Sequence, residues 1–386
     1  MIPEFDFATA TKIVFGTGRL KDLGALAKPL GSRALLVTGR NASRAEPTIS
    51  ALQRQGITCT TLTTDGEPDI ESVSRGVDQA KKNRSDLVIS FGGGSAIDAG
   101  KAIAAMITND GELLDYLEVI GKGKSLEKAS APFIAIPTTA GTGSEVTRNS
   151  VLASPQHRVK VSLRSALMLP RIALVDPETT WDLPPATTAS TGLDALTQVV
   201  EPYVCNRANP MTDALCVEAI GRAARSLSVA FEDGHNKNAR EDMCVASLFG
   251  GLALANAGLG AVHGFAGPIG GMFPAPHGAV CAVLLPHVMR ANIDALRLRQ
   301  PGSHILGRYE TVARLLTANP LAKADDGPQW VLKLVQKLGI PPLSAYGVTR
   351  EAIGDIVAKS AKASSMKANP IVLTNEELSR ILETAL

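Results

Sequence analysis

Through the first half of the chain, short apolar runs rich in β-branched residues alternate with amphipathic helical patterns. Residues 34–38, 57–63 and 86–91 read as strands, and residues 42–55, 69–82 and 95–108 as the helices between them. Similar runs at 133–136 and 171–175 extend the series. Such alternation predicts a mainly parallel sheet with helical crossovers, an α/β nucleotide-binding domain over residues 1–178. After Leu183, Pro184, Pro185 and Ala186 the pattern changes. Long alanine-rich helical stretches at 186–203, 211–231 and 240–259, with a further group between 330 and 386, predict an all-helical domain over residues 179–386.

Residues 245–273 are almost entirely apolar or glycine, interrupted by Ser247, Asn256 and His263. The length would suit a membrane span, but the glycine content is high for a lipid-facing helix and no second convincing span accompanies it. A buried helix followed by glycine-rich turns is expected. The start of the chain, Met1, Ile2, Pro3 and Glu4, lacks the basic segment and apolar core of a secretory signal. These features predict a cytoplasmic protein without a membrane partner.

With 386 residues, the chain is too long for one ordinary core. Its 39 basic and 37 acidic residues leave a formal charge of +2 without long Lys or Arg blocks, so it lacks the cationic footprint that nucleic acid requires. The five cysteines, Cys59, Cys205, Cys216, Cys244 and Cys281, form no paired ligand motif and read as buried thiols in a reducing compartment.

Two glycine-rich turns carry candidate chemistry. Phe91 closes a strand and is followed by Gly92, Gly93, Gly94 and Ser95 before a helix. Glycines there let the backbone approach an anion, and the helix N-terminus supplies unpaired N–H groups, which together suit a pyrophosphate. The spacing is not the usual GxGxxG fingerprint, and Asp98 in the first turn has a simple helix-stabilising role open to it. The second turn, residues 137–145, offers the hydroxyls of Thr138, Thr139 and Thr142 beside Gly141 and Gly143. Open α/β sheets place ligands beyond the C-terminal ends of strands such as these. At the end of the first predicted strand stands Gly39, with no carboxylate to grip a ribose hydroxyl and with Arg40 and Arg44 close by, an arrangement that favours NADP.

In the second half, Asp194 and Gln198 share a helix face at i,i+4 spacing, and His263 and His277 follow in glycine-rich settings. If these meet, they form a mixed oxygen and nitrogen site for a divalent metal, although each histidine also has a purely structural role open to it. His157, His235, His287 and His304 show no comparable arrangement.

Four segments make the chain resemble the iron-containing (group III) alcohol dehydrogenase family: GGGSAIDAGK after Phe91, TTAGTGSEVT after Pro137, GLDALTQVVEPY after Thr191, and PHGAVCAVLLPHV after Ala275. The resemblance implies a dehydroquinate-synthase-like fold, assembly as at least a homodimer, and reversible NAD(P)-linked oxidation of a small alcohol to an aldehyde or ketone. It implies that Asp194, Gln198, His263 and His277 form the metal shell, with Fe2+ favoured and Zn2+ the alternative, and that Asp194, His263 and His277 are catalytic. It further implies dinucleotide contacts from Gly92, Gly93, Gly94, Ser95, Thr138, Thr139, Ser144 and Lys160.

The chain departs from the family pattern at three positions. Gln198 stands where a metal-binding histidine is common, Gly267 where many members have another histidine, and Gly39 where an aspartate selects NAD. A runner-up function is an NAD-dependent lyase or cyclase acting on a sugar-derived substrate and regenerating its NAD. That chemistry needs an anion-rich pocket, whereas the Ala/Gly surroundings of His263 suit a small, weakly charged carbonyl compound.

Overall fold

The computed structural model describes residues 4–157 and 159–386. Its strands are β1 (Lys12–Phe15), β2 (Arg33–Thr38), β3 (Thr58–Thr63), β4 (Leu87–Gly92), β5 (Phe133–Pro137), β6 (Asn149–Ser154), β7 (Val159–Arg164) and β8 (Ile172–Val175). Six of them form one parallel sheet in the order β1-β8-β5-β4-β2-β3, while β6 and β7 make a separate antiparallel pair. Contacts divide the chain into an α/β unit, residues 8–139 with 143–180, and a helical unit, residues 181–386 with 140–142 and 4–7.

The central strands β4 and β5 are buried along their whole length, which is why they read as continuous apolar runs rather than alternating ones. Successive residues of β2 serve opposite faces. Leu35 and Val37 join Val73, Val77, Ala102 and Ile103 of the helices Ile70–Lys82 and Gly94–Thr108, whereas Leu36 joins Leu23, Ala51 and Leu52 on the other side. Gly100 sets the approach of helix Gly94–Thr108 to the sheet, since a Cβ there would lie 2.0 Å from Ser90 Oγ and 3.0 Å from the Phe133 ring.

Sheet order decides where a ligand can sit. From β2 the chain moves outward to β3, then returns past β2 to β4 and on to β5. The switch point therefore falls between β2 and β4, where the register pairs Thr38 with Phe91, and on the other side of β4 Gly92 pairs with Pro137 of β5. Gly39 and the Gly92–Ser95 turn emerge side by side there: a Cβ on Gly92 would stand 3.4 Å from the Gly39 nitrogen.

Two expectations for this unit need adjustment. The helix expected over 42–55 starts as a 3-10 turn, Ala42–Ala45, and becomes α-helical over Glu46–Gln53, because Pro47 is tolerated only in the first turn of an α-helix. The β6–β7 hairpin and the edge strand β1 lie where no element was expected.

Among the described residues, 181–386 contain no strand. Helices Pro185–Val204, Pro210–Glu232 and Lys237–Asn256 pack around Leu193, Leu196, Val199, Ile220, Ala223, Leu227 and Ala246, all buried. Asp242 locks two of these helices together by accepting from Arg222, Arg225 and Ser226.

The apolar stretch 245–273 folds as helix Lys237–Asn256 followed, at 96°, by helix Ala261–Met272. The expected turns after the first helix are confined to residues 257–260. Glycines inside the second helix serve close packing instead: a Cβ on Gly264 would come within 2.8 Å of the Met366 side chain. Helix His277–Arg299 is long and apolar enough to cross a membrane, but 78% of its most apolar window is buried inside the chain's own core.

Substituting Gly100→Val should destabilise the α/β unit by about 1–3 kcal/mol through overpacking. Thermal melting followed by circular dichroism measures this, and an unchanged midpoint would remove Gly100 from its spacing role.

Candidate active site

Asp194 lies midway along helix Pro185–Val204, His263 in the first turn of Ala261–Met272, and His277 at the first position of His277–Arg299. Glycines let these helices converge. A Cβ on Gly278 would lie 2.3 Å from the Ser190 carbonyl oxygen and 3.4 Å from the Asp194 Cβ, so its absence brings the start of the third helix against the first. At Gly260 a Cβ would meet the Glu201 carboxylate at 2.7 Å. That carboxylate instead accepts from the Val262 backbone N–H at 2.7 Å, satisfying a free amide at a helix N-terminus.

The resulting cluster holds four donors: Asp194, His263, His277 and Cys281, whose ligand atoms all lie within 4.8 Å of one another. Asp194 Oδ1 is 3.5 Å from His263 Nε2 and 3.7 Å from His277 Nε2. Cys281, one turn after His277, places Sγ 3.9 Å from His263 Nε2 and 3.7 Å from His277 Nε2. Exposure marks the open side, because the His277 side chain is 37% accessible whereas those of Asp194 and His263 are 3% and 7%.

Electrostatics suit a cation. Burial alone would raise the Asp194 carboxyl, yet the neighbouring His277 and His263 outweigh it and hold the carboxyl below its usual value. Burial likewise opposes protonation of His263, but Cys281, Asp194 and Glu201 push its pKa well above normal. The nearby Cys281 is the main cause raising His277 to about 8. Despite its burial, Asp194 Oδ1 has no hydrogen-bond partner. A buried carboxylate oxygen left unpaired and facing two imidazole nitrogens is the donor set of a divalent metal, so these residues fit the ion.

His263 is oriented from behind. Its Nδ1 lies 2.6 Å from Glu201 Oε2, so the carboxylate accepts the Nδ1 proton and leaves the Nε2 lone pair for the cluster. Gln198, one turn beyond Asp194 on the same buried face, donates through Nε2 to the Gly141 carbonyl at 2.9 Å.

Within the α/β unit, helix Gly94–Thr108 begins after Gly93 with no side-chain cap, which leaves its first N–H groups for a ligand. Thr139 borders the same turn, at 3.4 Å from where a Gly93 Cβ would be, and Thr138 N–H bonds the Gly92 carbonyl. Ser144 donates to Asp98 Oδ1 at 2.5 Å, and Lys160 donates to Glu67 at 2.5 Å. Gly39 has nothing within 4 Å of its Cβ position. Of the two arginines beyond it, Arg40 is paired with Asp65 and Arg44 donates to the Thr179 carbonyl.

Known proteins share this layout along almost the whole chain. Residues 10–177 match the model of the iron-containing alcohol dehydrogenases, and residues 188–386 match that of the family's C-terminal region. The chain belongs to the iron-containing alcohol dehydrogenase family. It is 37% identical to alcohol dehydrogenase 4 of Saccharomyces cerevisiae over 327 residues, covering 83% of this chain and 81% of that one. It is 34% identical to 1,3-propanediol dehydrogenase of Klebsiella pneumoniae over 396 residues, covering 99% and 98%. A crystal structure of a 1,3-propanediol oxidoreductase superposes over 100% of both chains with a TM-score of 0.91 at 33% identity.

Family membership and the donor cluster together make this protein an NAD(P)-dependent, metal-containing alcohol dehydrogenase. Sequence reasoning missed two residues of its site. Cys281 follows His277 at i+4 spacing, a signal obscured by the scatter of the other cysteines. Glu201 sits seven residues after Asp194, two helical turns along the same face.

Glu201→Gln should keep the fold while weakening metal affinity by about 10–100-fold, the usual effect of losing a carboxylate that orients a ligand histidine. Chelator competition with Zn2+ measures this; an unaltered affinity would show that His263 needs no such support.

Proposed function

We propose that Asp194, His263 and His277 hold the divalent cation of this dehydrogenase, with Gln198 and Cys281 as the two candidates for a further position. We also propose that Gly39, Gly92, Gly93, Gly94, Ser95, Thr138 and Thr139 receive the dinucleotide, with Ser144 and Lys160 as contacts shared with Asp98 and Glu67. The observation carrying the metal assignment is the buried, unpaired Oδ1 of Asp194 facing two imidazoles. A bound cation supplies Lewis acidity toward a substrate oxygen, and the nicotinamide supplies the hydride acceptor or donor.

The chain's own residues do the rest. Asp194 offsets the cation's charge, Glu201 fixes the ring of His263, and the exposed side of His277 leaves an approach for substrate. Gly267 offers no side chain to move a proton, and open space surrounds its Cβ position, which would leave room there for water to carry the alcohol proton. Likeness to the 1,3-propanediol enzymes supports short alcohols and their aldehydes as substrates. Charge balance and five free thiols support a reducing cytoplasmic setting, and the family resemblance supports a homodimer, which sedimentation would test.

Nicotinamide absorbance followed across a panel of short alcohols and aldehydes, with metal supplied anaerobically, should show substrate-dependent turnover that is lost on chelation. Dinucleotide binding without net redox change would reject this assignment and favour a lyase that regenerates its NAD.

Both NAD and NADP are expected to serve, because no carboxylate follows β2 and Gly39 leaves room for a 2′-phosphate. Gly39→Asp fits sterically and should weaken NADP relative to NAD by about tenfold or more, an adjacent like charge costing roughly 1–4 kcal/mol. An unchanged ratio of the two dissociation constants would remove Gly39 from that role.

A further inference from the structure

The positions of the four donors go further than the family pattern. We propose that Cys281 Sγ, rather than the Gln198 amide, is the fourth protein ligand of the metal, giving a site of one carboxylate, two imidazoles and one thiolate. The proposal rests on the metal assignment made above and specifies its remaining position.

Three observations carry it. The first is spacing. Ligands at about 2.0–2.3 Å from a tetrahedral ion stand roughly 3.3–3.8 Å from each other. Four of the donor separations, 3.5, 3.7, 3.7 and 3.9 Å, fall on or just beyond that edge length. Sulfur, with its longer bonds, belongs to the longest of them.

The second is the placement of Cys281 itself. It is fully buried, and it lies one turn after His277 on the same face of helix His277–Arg299, so both side chains reach the cluster from one rigid element. Both of its sulfur contacts in the cluster are to imidazole Nε2 atoms. The third is the commitment of Gln198. Its amide nitrogen donates to the Gly141 carbonyl, a bond that ties helix Pro185–Val204 to the 140–142 segment of the same unit. Gln198 thus has a structural duty, while Asp194 Oδ1 faces both imidazoles without making a hydrogen bond.

A thiolate changes what the site selects. It is a soft donor and adds a second negative charge beside Asp194, which turns the preference from Fe2+ toward Zn2+ and Co2+. Binding releases the thiol proton to solvent.

Cobalt provides a readout independent of activity, since a thiolate bound to Co2+ gives a sulfur-to-metal charge-transfer band in the near ultraviolet. Wild-type protein, Cys281→Ser, Cys281→Ala and Gln198→Leu would be titrated anaerobically with Co2+ and, by chelator competition, with Zn2+. Circular dichroism would confirm that each is folded. The proposal expects the band in wild type and Gln198→Leu, its loss in both Cys281 variants, and Zn2+ affinity reduced by about a hundredfold or more in Cys281→Ala, beyond the effect of losing an outer partner. Gln198→Leu should stay within about threefold of wild type, well under the roughly tenfold least effect of an outer partner. Stoichiometric Co2+ binding without the band, or affinity lost in Gln198→Leu and retained in Cys281→Ala, would overturn it while leaving the metal centre standing. Absence of stoichiometric binding of either ion to the wild-type protein would instead overturn the metal assignment beneath it.

Discussion

A carboxylate buried in a helical core is the constraint around which the catalytic half of this molecule is arranged. Asp194 is almost fully buried, and one of its oxygens has no hydrogen-bond partner. The effective cost of burying such an ion is several kcal/mol, recovered only when positive charge stands close by. His263 and His277 are the groups near enough to supply it, and their influence keeps the carboxyl ionised against the pull of burial. The same arrangement that tolerates the charge in the folded chain is one that a divalent cation satisfies better than two imidazolium protons do. Much of the surrounding detail follows from bringing three helices to that oxygen, including glycines at 260 and 278 where any side chain would collide.

The α/β unit solves a related problem with a lysine. Lys101 is buried on helix Gly94–Thr108, and its ammonium bonds the carbonyls of Ser144 and Asn149 and the hydroxyl of Thr147. Burial brings its pKa down to about 8, opposed by Asp98 and Glu145, while burial raises Glu145 to about 7. Asp98 in turn accepts from Ser144 Oγ and from the Val151 N–H. These bonds join the helix that follows the glycine turn to the chain beyond β5. A network in which nearly every buried polar group is matched resists local opening, which is what a backbone cradle for an anion needs.

How far the sequence revealed this depends on the range of the interaction. The parallel sheet and helical half were legible because apolar periodicity is local, and the buried runs of β4 and β5 need no knowledge of their neighbours. The glycine turns were legible for the same reason. Asp98 was read as a helix-start charge, whereas it also anchors Ser144 and Val151, some fifty residues away, at separations that no window reports. Arg40 illustrates the limit from the other side: a cation seemingly free for a 2′-phosphate is held by Asp65 at the end of the neighbouring strand. Cys281 was set aside with four other scattered thiols because only the fold shows that it alone approaches two histidines.

The departure at position 198 gains a physical meaning once the helix around it is considered. Gly141 packs against Thr191, where a Cβ would come within 2.8 Å of the threonine Cβ, and seven residues later Gln198 bonds the Gly141 carbonyl. Two contacts from one glycine, two turns apart, grip the same face of helix Pro185–Val204 on either side of Asp194. An imidazole at 198 could serve a metal through one ring nitrogen and donate from the other, as His263 does, whereas the Gln198 amide spends its N–H on the Gly141 carbonyl. The glutamine amide thereby ties this helix to the 140–142 segment by a bond that needs no metal. With His263 and His277 already in place, an imidazole at 198 would be the third in the cluster; here the thiol of Cys281 stands beside those two rings instead, and Gln198 serves the packing of its helix.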